Sequence, residues 1–224
     1  MKSGTSSKNN RAAASGKASG SSGTSSDSQI TGQQADKEAI SSTSPSYLQK
    51  FFTDQLKDIY YAEKALLNGL EEMKSAVSTE ELQDAFETHR QQTERHVKRL
   101  EQVFRLIKQE PEAKPCAAMD GLLKEARNII SETEEGSFTR DAALIIAAQK
   151  VEHYEIATYG GLVQLAVTMD MRRAADILDK TLQEEEDTDQ QLTHIAESYI
   201  NIEAEHEGGY SWDKQAIGAG SVTL

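Results

Sequence analysis

Seven acidic and imidazole side chains stand where a helical reading puts apolar residues: Glu63, His89, His96, Glu152, Glu155, Glu185 and Asp189. Carboxylate oxygens and imidazole nitrogens are ligands for divalent metal ions, and a mixed set suits iron or manganese. Buried without a partner, each such group would cost several kcal/mol. Two divalent ions would offset about four negative charges, so a metal centre is the chemistry this set points to.

The elements that must position these residues follow from periodicity. Ser46 and Gln49 form a capping-box pattern, and Leu48, Phe52, Leu56, Ile59, Glu63, Leu66 and Leu70 then recur at helical spacing to about Lys74. Ser78 and Glu81 suggest a second capping box. The helix after them carries Leu82, Phe86, His89, Thr93, His96, Leu100, Val103 and Ile107 on one face and ends before Pro111. A shorter helix is predicted from about Met119 to Glu134. A third long helix starts near Thr139, with Leu144, Ala148, Val151, Glu155, Leu162 and Ala166 inward and Glu152 beside Glu155. Asp170 is the expected N-cap of the fourth, where Leu178, Leu182, Glu185, Asp189, Leu192 and Ala196 share a face to about Glu203.

Short loops join the first two long helices and the last two, and short loops make antiparallel neighbours. About 28 residues separate the two hairpins, enough to return along the bundle with a short helix inside the crossover. The expected fold is therefore an all-α, ferritin-like four-helix bundle of two antiparallel hairpins, with a long crossover carrying a short extra helix.

Depth along this bundle ties the polar residues together. Glu63 lies about 13 residues before the centre of the first loop and His89 about 13 after it. Glu152 and Glu155 lie about 18 and 15 before the second loop; Glu185 and Asp189 lie about 15 and 19 after it. Both hairpins bring their polar groups to mid-bundle. His96 reads equally as a ligand or as a buried histidine bonded to a carboxylate, and Gln92 as a weak ligand or a supporting donor. In the run Glu184-Glu185-Glu186-Asp187, only Glu185 is expected to turn inward.

Composition bounds the rest. The 224 residues carry a net charge of −13, a field that repels nucleic acid and anionic membranes and favours cations. Cys116 is the one cysteine, so no intrachain disulfide can form. No apolar run approaches a membrane span, and the N-terminus lacks the apolar core of a signal peptide, which together predict a cytoplasmic protein. Residues 1–45 are rich in Ser and Gly and should be disordered. The ordered domain is expected over 46–203, with a flexible tail over 204–224 that includes Trp212.

The stretches DIYYAEKAL (58–66), FETHRQQTERHVKRLEQVF (86–104), CAAMDGL (116–122), RDAALIIAAQKVEHYEIATYGGL (140–162) and TLQEEEDTDQQLTHIAE (181–197) resemble the YciE/YciF family. Its members are bacterial stress-associated proteins of the ferritin-like superfamily. The resemblance implies a ferritin-like bundle, a homodimer, and a di-iron or di-manganese site. That superfamily takes Glu from two helices and Glu-x-x-His from the other two. Here His89 comes first with Gln92 at i+3, Glu152-x-x-Glu155 stands on the third long helix, and Asp189 stands about where a histidine would be on the fourth.

The expected metal ligands are Glu63, His89, Glu155 and Glu185, with Glu152 and Asp189 completing or bridging the set. Two Fe or Mn ions held there would react with O2 or peroxide, in a ferroxidase or peroxide-detoxifying role. Tyr60 and Tyr159 stand near enough to be redox neighbours, or else are hydrogen-bonded tyrosines of the core rim. The alternative is a non-catalytic helical scaffold with a polar core. Nucleic-acid protection through the weakly basic N-terminal arm is a third reading, opposed by the net charge.

Overall fold

Ser46 opens the first helix with the expected capping box. Its hydroxyl accepts from Gln49 N at 3.1 Å, and Gln49 Oε1 accepts from Ser46 N at 2.7 Å. The computed structural model describes residues 44–208, so the expectations for 1–43 and 209–224, Trp212 among them, lie outside the described residues.

Helix α1 spans Tyr47–Ala76, α2 Glu80–Leu106, α3 Ala117–Glu132, α4 Phe138–Thr168 and α5 Arg172–Ile195. A π-helical turn, Ala196–Ile200, continues α5 into a short α6, Asn201–His206. Helix α1 packs on α2, α2 on α5, α5 on α4 and α4 on α1, closing a four-helix bundle; α3 lies across α1 and α4. The core inside it is aliphatic and aromatic, with Phe52, Leu56, Leu66, Phe86, Leu100, Leu144, Leu162 and Leu192 all buried. The expected all-helical bundle is what forms. Gly69 lets α3 come close to α1, since a Cβ there would lie 2.4 Å from Leu123 Cδ2.

Three local expectations fail for identifiable reasons. The second capping box does not form, because the Ser78 hydroxyl donates to Asp141 Oδ2 at 3.1 Å, and Thr79 is the N-cap with no side-chain bond. Asp170 is not an N-cap. It sits in the left-handed region (φ 56°), which Asp tolerates better than most residues, and makes the turn into α5, whose N-cap is Met171. Helical structure also runs past Glu203 to His206. The next residue, Glu207, accepts from Phe138 N and Thr139 N at 2.6 and 2.7 Å, fixing this end to the α4 N-terminus, where a negative charge is favoured. Gly160 and Gly161 have no close neighbour that would exclude a Cβ, and nothing in the structure explains them. No helix among the described residues is long and apolar enough to cross a membrane.

Candidate metal centre

Each long helix of the bundle contributes to one buried polar cluster. Glu63 comes from α1, His89 and His96 from α2, Glu152 and Glu155 from α4 and Glu185 from α5; all six are buried. His89 and His96 are two turns apart on one face, a rise of about 10.5 Å. Their rings nevertheless lean together, with centroids 6.5 Å apart.

Two overlapping groups result. His89, Glu152, Glu155 and Glu185 each offer a ligand atom, and these atoms all lie within 4.8 Å of one another. Glu63, His96 and Glu185 form a second group by the same measure, so Glu185 belongs to both. His89 Nε2 lies 3.1 Å from Glu152 Oε1 and 3.9 Å from Glu185 Oε2. His96 Nδ1 lies 2.9 Å from Glu185 Oε1 and 3.5 Å from Glu63 Oε2. The 2.9 Å approach is close, but it lacks the direction of a hydrogen bond, as His96 Nδ1 and Glu185 Oε1 both remain without a hydrogen-bond partner.

That pattern holds across the cluster. Eight inward atoms have no hydrogen-bond partner: Glu63 Oε2, His89 Nε2, His96 Nδ1, Glu152 Oε2, and both carboxylate oxygens of Glu155 and Glu185. Buried polar atoms are normally paired, and so many orphans in one cluster need an explanation. The donor chemistry, four carboxylates and two imidazoles, fits metal ions.

The family described as Domain of unknown function (DUF892) matches residues 47–205. This chain belongs to that family. It is similar to Protein YciF of Escherichia coli (strain K12), with 43% identity over 164 residues covering 71% of this chain and 96% of the relative. The crystal structure of the E. coli stress protein YciF superposes with a TM-score of 0.66 at 42% identity, covering 70% of this chain and 99% of that one. YcfI of Rhodopseudomonas palustris, named as a candidate structural protein, gives a TM-score of 0.64 at 33% identity over 68% and 96% of the two chains.

In this DUF892 protein the outward nitrogens of the two histidines are held. His96 Nε2 lies 2.9 Å from Glu184 Oε2, and Arg99 Nη2 donates to Glu184 Oε1 at 2.5 Å. His89 Nδ1 lies 3.4 Å from Thr188 Oγ1. Tyr159, also buried, donates its hydroxyl to Glu63 Oε1. Tyr60 turns away and donates to Glu101 Oε1 at 3.2 Å.

Protons balance the charge when no metal does so. Burial, and then the charges of Glu63, Glu185 and Glu152, push the Glu155 carboxyl well above its ordinary range. Burial likewise raises Glu185 to about 7, against the pull of His96 and His89. Burial alone would lower both histidines. Glu152 and Glu185 outweigh it at His89, which is held up at about 9, and Glu63 and Glu185 outweigh it at His96, which is held up at about 11. Metal would have to displace these protons, so binding would release them.

Of the residues expected from the sequence, Glu63, His89, Glu152, Glu155 and Glu185 are brought together, and Asp189 is not. Asp189 is partly exposed and accepts from Gln149 Nε2 at 3.3 Å, with His153 Nε2 also 3.3 Å away. Position 189 is about 40° around the helix from 185, and Thr188 takes the inward place instead. Gln92 is half-buried. Sequence reasoning missed Glu184 and Thr188. Glu184 sits in an acidic run that reads as solvated surface, and a threonine mid-helix carries no ligand signal.

Proposed function

We propose that this chain is a metal-binding stress protein of ferritin-like type. It holds two divalent ions, one at His89, Glu152, Glu155 and Glu185 and one at Glu63 and His96, with Glu185 shared between them. The observation that carries this reading is the set of eight unpartnered buried atoms on the residues of these two overlapping groups. Hard carboxylate oxygens with two imidazoles favour iron or manganese. Either ion, when bound, would supply redox chemistry toward O2 or peroxide. The chain's own part is to fix the ligands on four packed helices, to keep bulk water out, and to hold a proton on Tyr159 Oη against Glu63. The stress role is carried over from the E. coli relative, called a stress protein.

Metal analysis after anaerobic reconstitution tests this. About two Fe or Mn per chain are expected, and fewer than one would sink the proposal. Glu155→Ala should release metal and lower the thermal midpoint of the loaded protein; unchanged metal content in that variant would show that Glu155 is no ligand.

The second reading is a helical scaffold whose polar core sets pairing specificity. Charge balance by protonated histidines and the naming of YcfI as a candidate structural protein favour it. A metal-free, fully stable protein in the same experiment would support it. A homodimer in the cytoplasm completes the proposal. Ile146 and Val167, 56% and 49% exposed on the outward side of α4, supply apolar contact area for a second copy. Sedimentation as a monomer at tens of micromolar would remove the homodimer.

A further inference from the structure

Glu184 touches His96 directly and is linked to His89 through Thr188. Arg99 binds Glu184 through Nη2 and is itself steadied by Nη1 donating to Thr181 Oγ1 at 3.3 Å. A carboxylate held by a guanidinium is ionised and only accepts. The 2.9 Å contact with His96 Nε2 therefore has the imidazole as donor. With its proton on Nε2, neutral His96 keeps its lone pair on Nδ1, the atom that faces Glu63 and Glu185.

The other histidine leads to the same residue. Thr188 Oγ1 donates its one proton to the Glu184 backbone carbonyl at 2.9 Å. Toward His89 Nδ1, 3.4 Å away, that oxygen can then only accept. Neutral His89 carries its proton on Nδ1, and its lone pair sits on Nε2, facing Glu152 and Glu185. The same atoms, His96 Nδ1 and His89 Nε2, are the ones without hydrogen-bond partners.

We infer that Glu184 is a positioning residue for the metal centre: its side chain, backed by Arg99, fixes the ligating tautomer of His96, and its carbonyl, through Thr188, fixes that of His89. The two supports are unequal. An ionised carboxylate at 2.9 Å orients and enriches an imidazole more than a hydroxyl at 3.4 Å. This inference rests on the proposed metal binding and adds which residue outside the ligand set controls it. Glu184 is about a quarter exposed, so a near-isosteric change there should not empty the core.

The test uses Co(II), whose visible bands report coordination, titrated into the full chain. Glu184→Gln can turn its amide N–H toward His96 Nε2 and so drive the ring proton to Nδ1. It should weaken one of the two cobalt ions about 10–100-fold and change its bands. Arg99→Met should do the same to a lesser degree, and Arg99→Lys should restore most of the affinity. In the Zn(II)-loaded protein, long-range 15N spectra should show the His96 proton on Nε2 in the wild type. Circular dichroism checks folding, and Arg99→Met serves if Glu184→Gln does not fold. Wild-type chain that takes up no cobalt overturns the metal reading and this inference together. Cobalt bound by the wild type and bound equally well by a folded Glu184→Gln or Arg99→Met overturns this inference alone, as does zinc on His96 Nε2.

Discussion

Asp141 and Glu155 lie on one helix, are both fully buried, and could hardly differ more in their surroundings. Asp141 Oδ1 accepts from Ser78 N at 2.9 Å, while Oδ2 accepts from Thr79 N at 3.0 Å and Ser78 Oγ at 3.1 Å. Its charge is met by donors from the α1–α2 loop, and the result is a clamp between the two hairpins. Glu155 has neither oxygen paired and faces three other carboxylates. Burial of a carboxylate is thus common to both. What separates the two is whether the protein itself supplies the donors.

The largest expected effects set these two acids apart. Asp141→Ala strands the backbone N–H groups of Ser78 and Thr79 and should destabilise the chain by about 3 kcal/mol, with metal content unchanged. Denaturant unfolding with and without metal measures it, and a loss below about 1 kcal/mol would mean that the clamp is incidental. At Glu155 the sign reverses. Glu155→Leu in metal-free protein removes an uncompensated buried acid and should leave stability equal or higher by about 1–2 kcal/mol. Saturating wild-type chain with Mn(II) at 100 times the dissociation constant should add about 2.7 kcal/mol for each ion bound, and the share of the ion at His89, Glu152, Glu155 and Glu185 should vanish in Glu155→Leu. A destabilised metal-free Glu155→Leu would place Glu155 with Asp141, as a structural acid.

Acidity sharpens the contrast next. Glu185, raised to about 7, favours its protonated form in the folded chain, so its contribution is present at low pH and lost as pH rises through 7. His89, raised to about 9, stabilises below its ordinary value and loses that contribution as pH rises through 9. Both act in the same direction. The thermal midpoint of metal-free protein should therefore fall between about pH 5 and pH 9, while metal affinity rises as the ligands give up protons. A metal-free midpoint that climbs over this window would contradict the charge arrangement of the centre.

Periodicity made the fold legible because the apolar stripes of the long helices are wide and regular. Glu63, His89, Glu152, Glu155 and Glu185 were legible as interruptions of those stripes at matched depth. Depth from a loop fixes where a Cα lies, however, and not which neighbour its side chain reaches. Glu63, opposite His89 by counting, has its contact with His96. The supporting residues were hidden for another reason. Glu184 looks like its neighbours Glu186 and Asp187, and only the position of Arg99, more than eighty residues earlier, shows that it is held. Asp141 likewise caps a loop on another hairpin, a pairing no local pattern encodes.

Asp189 gives the smallest and most discriminating effect. It is four residues after Glu185 and was expected to share its face, yet it bonds Gln149 and approaches His153 at the bundle rim, with water available to replace either partner. Its carboxylate is satisfied like that of Asp141 but exposed enough to be rehydrated when a partner is lost. Asp189→Asn should change stability by less than about 1 kcal/mol and leave about two metals per chain. Metal analysis of the purified variant decides this. Loss of one ion would mean that α5 rotates on metal binding to bring Asp189 inward, and that the division between paired and unpaired acids holds only for the metal-free chain.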